Sequence, residues 1–176
     1  MAKLIVEETA DELIFLAESD IISAKVLFAG TYHPADRMYN IVCFHATQAV
    51  EKFLKGYIIS CNKNAERTHN LDNLCKAAIK IDNSFKEISG DCVFLNTYAP
   101  DVKYTSKNEI TKKDMVTILK SLETICVFPP IKTMRDSFAK KHKYEIISKI
   151  ITKPVSKTTA KTPKSKKTTA AKKTKK

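Results

Sequence analysis

Glycine is nearly absent from this 176-residue chain, with three in all, and tryptophan is missing altogether. So few glycines argue against folds built on tight turns and phosphate-cradling loops, and no GxGxxG, Walker or GxSxG segment occurs. Cysteine occurs five times but never as a CxxC pair, and none of the four histidines sits at ligand spacing from a cysteine. The odd number and the mostly apolar neighbours of Cys43, Cys61, Cys75, Cys92 and Cys126 read as reduced core thiols, so neither a structural metal nor a cofactor is expected. Long apolar runs are lacking too. No uncharged stretch approaches the ~20 residues of a membrane helix, and the apolar start at Leu4, Ile5 and Val6 meets Glu7 and Glu8 too soon for a secretion signal. These absences predict a cytoplasmic protein with no membrane partner.

Acid is the next thing missing, and only from one end. Residues 152–176 hold ten lysines and no aspartate or glutamate, so they carry ten of the twelve net positive charges and leave the rest at +2. This segment is almost wholly Lys, Thr, Ala, Ser and Pro, which cannot bury enough apolar surface to offset the entropy of ordering. It predicts a disordered lysine-rich tail, 152–176, that binds nucleic acid without sequence preference, after a helical domain spanning 1–151.

What is present in that domain is helical periodicity. Apolar residues recur at three and four, and capping signals punctuate them. Thr9 and Glu12 form a capping box for a helix over about Glu8 to Ala29, with Leu13, Leu16, Ala17, Ala24, Leu27 and Phe28 as its core stripe. Asp20 falls within that stripe and therefore needs a partner. Phe15, Ile22 and Val26 lie opposite, apolar surface that predicts a homodimer. Pro34 suits the first turn of a second helix, about Ala35 to Ser60, with Val42, Ala46, Ala49, Phe53 and Tyr57 as its stripe. Asn62 to Asn64 reads as a polar turn. Asn70 caps a short helix through Lys80, Ser84 and Glu87 form a capping box for a segment ending near Pro100, and Thr111 and Asp114 open a helix through about Val127. Pro129 and Pro130 stop it and start a last helix reaching Ile151. The fold class is all-α, an up-and-down bundle of about five or six helices.

On the second helix, His45, Gln48 and Lys52 fall within an arc of about 60° turned away from the core stripe. A trio of this kind is commonly a solvated face. Here it sits in the run from Cys43 to Ile59, CFHATQAVEKFLKGYII, which is similar to the signature helix of the HEPN family, nucleotide-binding domains of prokaryotes and higher eukaryotes. Asp20, Ala24 and Leu27 followed by Tyr32 resemble that family's first helix and its exit. Thr68-His-Asn-Leu71 with Leu74 resembles its Thr-His-x-Leu-x-x-Leu step, and Leu95-Asn-Thr-Tyr98 with Lys103-Tyr104 resembles its Leu-Asn-x-Tyr and Arg-Tyr-Pro segments. Lys103 stands where arginine is usual, and Thr105 where proline is. The resemblance, over roughly residues 10 to 125, implies a helical bundle, symmetric dimers with a polar groove beside the second helix, and frequent pairing with a small nucleotidyltransferase in toxin–antitoxin systems. The candidate nucleotide-binding residues are His45, Gln48, Lys52, Lys103 and Tyr104, supported by Asp20, Thr68 and His69.

Catalytic members of that family resemble metal-independent ribonucleases with an Arg-x(4–6)-His motif, in which arginine holds phosphate and histidine moves protons. Arg37 and His45 have seven residues between them and Arg67 and His69 have one, so both miss the spacing. Arg135 and His142 have six and fit, which also puts them on one helical face. Three readings follow: a non-catalytic or weakly catalytic module that binds a nucleotide or nucleic acid, a ribonuclease toxin using Arg135 and His142, and a structural adaptor whose tail carries all binding. Asp20 meeting a cation of the next helix reads as a structural pair that can also orient His45 or Lys52.

Overall fold

The computed structural model describes residues 8–30, 38–98 and 110–142. Six α-helices and one 3-10 helix account for 83% of these described residues, and no strand occurs among them. The helices are α1 (Ala10–Gly30), α2 (Met38–Ser60), α3 (Leu71–Ile79), α4 (Ser89–Asn96), α5 (Lys112–Val127) and α6 (Pro129–His142), with the 3-10 helix Asn83–Ile88 ahead of α4. None is long and apolar enough to cross a membrane.

The helix starts follow from local chemistry. Thr9 caps α1, its hydroxyl accepting from the Glu12 amide at 3.2 Å while the Glu12 carboxylate accepts from the Thr9 amide at 2.8 Å. Thr111 and Asp114 repeat this reciprocal pair at α5. Asn70 caps α3 by accepting from the Asn73 amide. At the end of α2, Asn62 takes φ 55, and the amides of Asn62 and Lys63 donate to the Ile59 and Ile58 carbonyls. That paired closure is a Schellman motif, and asparagine tolerates the left-handed position it requires. Phe128 is extended ahead of Pro129 and separates α5 from α6.

The segment after α3 departs from expectation. Ser84 does not cap it; Asp82 does, accepting from the Ser84 amide at 2.9 Å, and the chain enters as a 3-10 turn. Ser84 Oγ is buried without a partner. Phe85 has to reach the core there, fully buried between Tyr57 and Phe128, at 4.4 and 4.9 Å between ring centroids. That anchoring sets the turn. The following α4 ends at Asn96, and Asn96 Oδ1 accepts from the Leu71 amide at 2.9 Å, tying α4 to the start of α3.

Helix α2 packs against every other α-helix, which is why Val42, Ala46, Ala49, Val50, Phe53 and Leu54 are all fully buried. It runs antiparallel to α1: a Cβ at Gly56 would lie 3.6 to 3.7 Å from atoms of Ala10, Leu13 and Ile14, while His45 meets Asp20. Helix α1 in turn runs antiparallel to α6, Asp11 meeting Lys141 and Glu18 meeting Arg135. Pressed from these two sides, α1 buries Leu13, Ile14, Ala17, Ile21 and Ala24. Leu16, placed in the core by periodicity, is 39% exposed, and Ile14 and Ile21 take its role. Of the residues expected on the outer face, Phe15 and Val26 are exposed and Ile22 is half-buried. The first turn expected from Ala35, the continuation to Ile151 and the lysine-rich segment lie outside the described residues.

Candidate functional site

Along the outer face of α2, polar side chains form one connected network. Asp20 of α1 holds two of them, Oδ1 lying 2.8 Å from His45 Nδ1 and Oδ2 accepting from Lys52 Nζ at 2.7 Å. Lys52 also donates to Gln48 Oε1 at 3.1 Å, and Gln48 Nε2 donates to Glu51 at 3.0 Å. Glu51 further accepts from Lys55 at 2.7 Å and lies 3.0 Å from His69 Nδ1. Two helices, α1 and α2, and the loop before α3 thus meet on this face. Helical geometry explains the order, because residues 45, 48, 52 and 55 return to one side every three or four positions.

The trio expected from the sequence is therefore brought together, and Asp20 pairs with both candidate cations at once. His69 joins through Glu51. Thr68 does not reach the network; its hydroxyl accepts from the Asn70 amide at 3.0 Å, shaping the turn that presents His69. Lys103 and Tyr104 lie outside the described residues. Sequence reasoning missed Glu51 and Lys55. Glu51 is the network's buried centre at 5% exposure, and the Glu-to-Lys spacing of four at 51 and 55 was its available signal.

The network is partly covered rather than sealed: His45 and Lys52 side chains keep 24% and 19% of their surface exposed, and Lys55 keeps 16%. One turn toward the start of α2, Phe44 and Ile41 expose 41% and 46%. The Phe44 ring meets the His45 ring edge-on at 5.4 Å. Two partly exposed ammoniums beside an exposed aromatic suit phosphate at one end and a flat apolar group at the other. Among the described residues, no group of three or more His, Cys, Asp or Glu could hold a metal ion.

Arg135 and His142 lie elsewhere, where α6 crosses α1. The Arg135 guanidinium donates to both oxygens of Glu18 and, at 3.0 Å, to the Cys126 carbonyl, and it stands over the Phe53 ring at 5.4 Å. Burial opposes its charge, but the Glu18 carboxylate outweighs this and holds the guanidinium above its ordinary value. His142 lies 3.4 Å from Asp11 and stacks against Phe138 at 4.4 Å. Asp11, bonded by Lys141, is held below the usual carboxylate value.

The sequence model of the HEPN domain matches residues 10–129. No curated protein matches, and no solved structure does.

Proposed function

The chain belongs to the HEPN domain family, and from that premise we propose that the outer face of α2 binds a nucleotide or nucleic acid through His45, Gln48, Lys52 and Lys55, with its phosphate on the two lysines. The observation that carries the reading is a count of donors. A lysine ammonium offers three N–H groups. Lys52 spends two, on Asp20 and Gln48, and Lys55 spends one, on Glu51. One and two remain, on side chains already fixed in place by their carboxylates, so little further ordering entropy opposes a phosphate.

Lys103 and Tyr104, outside the described residues, are proposed to add a phosphate contact and a stacking ring. The lysine-rich segment 152–176 adds salt-sensitive binding to any nucleic acid. A small nucleotidyltransferase is the proposed partner, as in the toxin–antitoxin pairs common to this family, and exposed Phe15 and Val26 support self-association as a homodimer. The ribonuclease reading through Arg135 and His142 has less behind it, since each pairs with a different carboxylate of α1, Glu18 and Asp11, seven positions apart.

Titrating the full chain with a nucleoside 5′-monophosphate while recording amide and imidazole NMR signals tests the site. Signals of residues 44 to 55 and His69 should move together and saturate. Movement confined to the lysine-rich segment, or none, would refute the assignment.

A further inference from the structure

Asp20 does more than hold two partners; it decides which hydrogen-bonding face His45 shows. Its Oδ1 lies 2.8 Å from Nδ1, and Oδ2 carries the Lys52 ammonium at 2.7 Å. An ionised carboxylate only accepts, so Nδ1 carries the hydrogen and a neutral imidazole presents a lone pair at Nε2. No hydrogen bond from a described residue reaches Nε2, while the side chain remains partly exposed. That lone pair cannot accept from a phosphate oxygen, which has no hydrogen to give. It calls for a donor, such as a hydroxyl. Beside it stand the exposed Phe44 ring, 5.4 Å from the imidazole, and the Lys52 ammonium on the same carboxylate.

We infer that this cluster selects ribonucleotides: the ribose 2′-hydroxyl donates to His45 Nε2 while the neighbouring phosphate sits on Lys52 and a base covers Phe44. The inference rests on the nucleotide reading of the α2 face and narrows it from phosphate to ribose. The 2′-hydroxyl is the group by which a protein tells RNA from DNA at a given site. Here the acceptor is pre-set by Asp20, which acts as a positioning residue through the imidazole.

The test titrates the full chain with three short oligonucleotides of one sequence, as RNA, DNA and 2′-O-methyl RNA, and follows the His45 ring nitrogens by ¹⁵N NMR. The free protein should show the Nδ1–H tautomer. RNA should saturate the His45 signal at concentrations roughly three- to tenfold below the other two, the worth of one neutral hydrogen bond. His45→Phe, which keeps the ring volume without the acceptor, should bind RNA and DNA alike when followed at the Lys52 signals. Asp20→Asn, whose amide can donate to Nδ1, should move the hydrogen to Nε2 and abolish the penalty for 2′-O-methyl RNA. An Nε2–H tautomer in the free protein, or equal affinities for the three strands, would overturn the inference and leave phosphate binding standing. Failure of all three to move the α2 signals would overturn both.

Discussion

Glu18 and Asp20 lie two residues apart on α1 and each holds a cation from another helix, yet the two sites differ in what they bring together. Arg135 spends its guanidinium on both Glu18 oxygens and the Cys126 carbonyl, with Phe53 beneath it. Lys52, held by Asp20 and Gln48, retains a donor, and His45 retains a ring nitrogen. The first cluster sets one cation under three acceptors and fastens α1 to α6 and to the end of α5. The second lines a lysine, an amide and a histidine along one helix face, so that it fastens α1 to α2 and also sets several ligand-binding groups side by side.

The largest effect that separates the two is on stability. Arg135→Ala leaves Glu18 and a backbone carbonyl under cover without a donor, and should cost about 3 kcal/mol in urea unfolding. Nucleotide affinity of the remaining folded protein should be unchanged. If Arg135→Ala instead removed binding while melting stayed put, the roles of the two clusters would be reversed.

The lysine-rich segment supplies a background against which the α2 face must be seen. With its ten lysines replaced by glutamine, the slope of log affinity against log salt should become much shallower. The movement of the α2 signals with a mononucleotide should persist. An unchanged slope would place the nucleic-acid charge contacts in the helical domain.

A third carboxylate on α1 gives the smallest effect. Asp11 is bonded by Lys141 and lies near His142, and its carboxyl is depressed. A depressed carboxyl adds stability above its unfolded value, near 3.8, and loses it as pH falls through the lower folded value. Asp11→Asn should therefore lower the melting temperature slightly at neutral pH and make no difference once both states are protonated in strong acid. A difference that persists at the lowest pH would show that Asp11 acts through packing rather than charge.

Much of this was legible where the determinants are local. Thr9 with Glu12, Asn70, and Thr111 with Asp114 cap the helices they were expected to cap, because capping involves residues three apart. The His45, Gln48 and Lys52 face followed from helical spacing, and Asp20 from its place in an apolar stripe. Leu16 and Ser84 went the other way for tertiary reasons. The α1 stripe is set by two helices pressing from different sides, which rotates the buried arc toward Ile14 and Ile21. Phe85 reaches between Tyr57 and Phe128 and so draws the chain into a 3-10 turn capped by Asp82. Glu51 was hidden because periodicity reads a carboxylate as surface, whereas Gln48, Lys55 and His69 together make its burial tolerable.

Lys52→Ala tests the α2 site most directly, with melting and nucleotide affinity measured on the same full-length preparation. Asp20 keeps His45, so melting should fall only slightly, while affinity should drop about tenfold or more through loss of a charged hydrogen bond to phosphate. A large fall in melting with ordinary affinity in the folded fraction would mean that the lysine only joins α1 to α2 and that the face is no binding site.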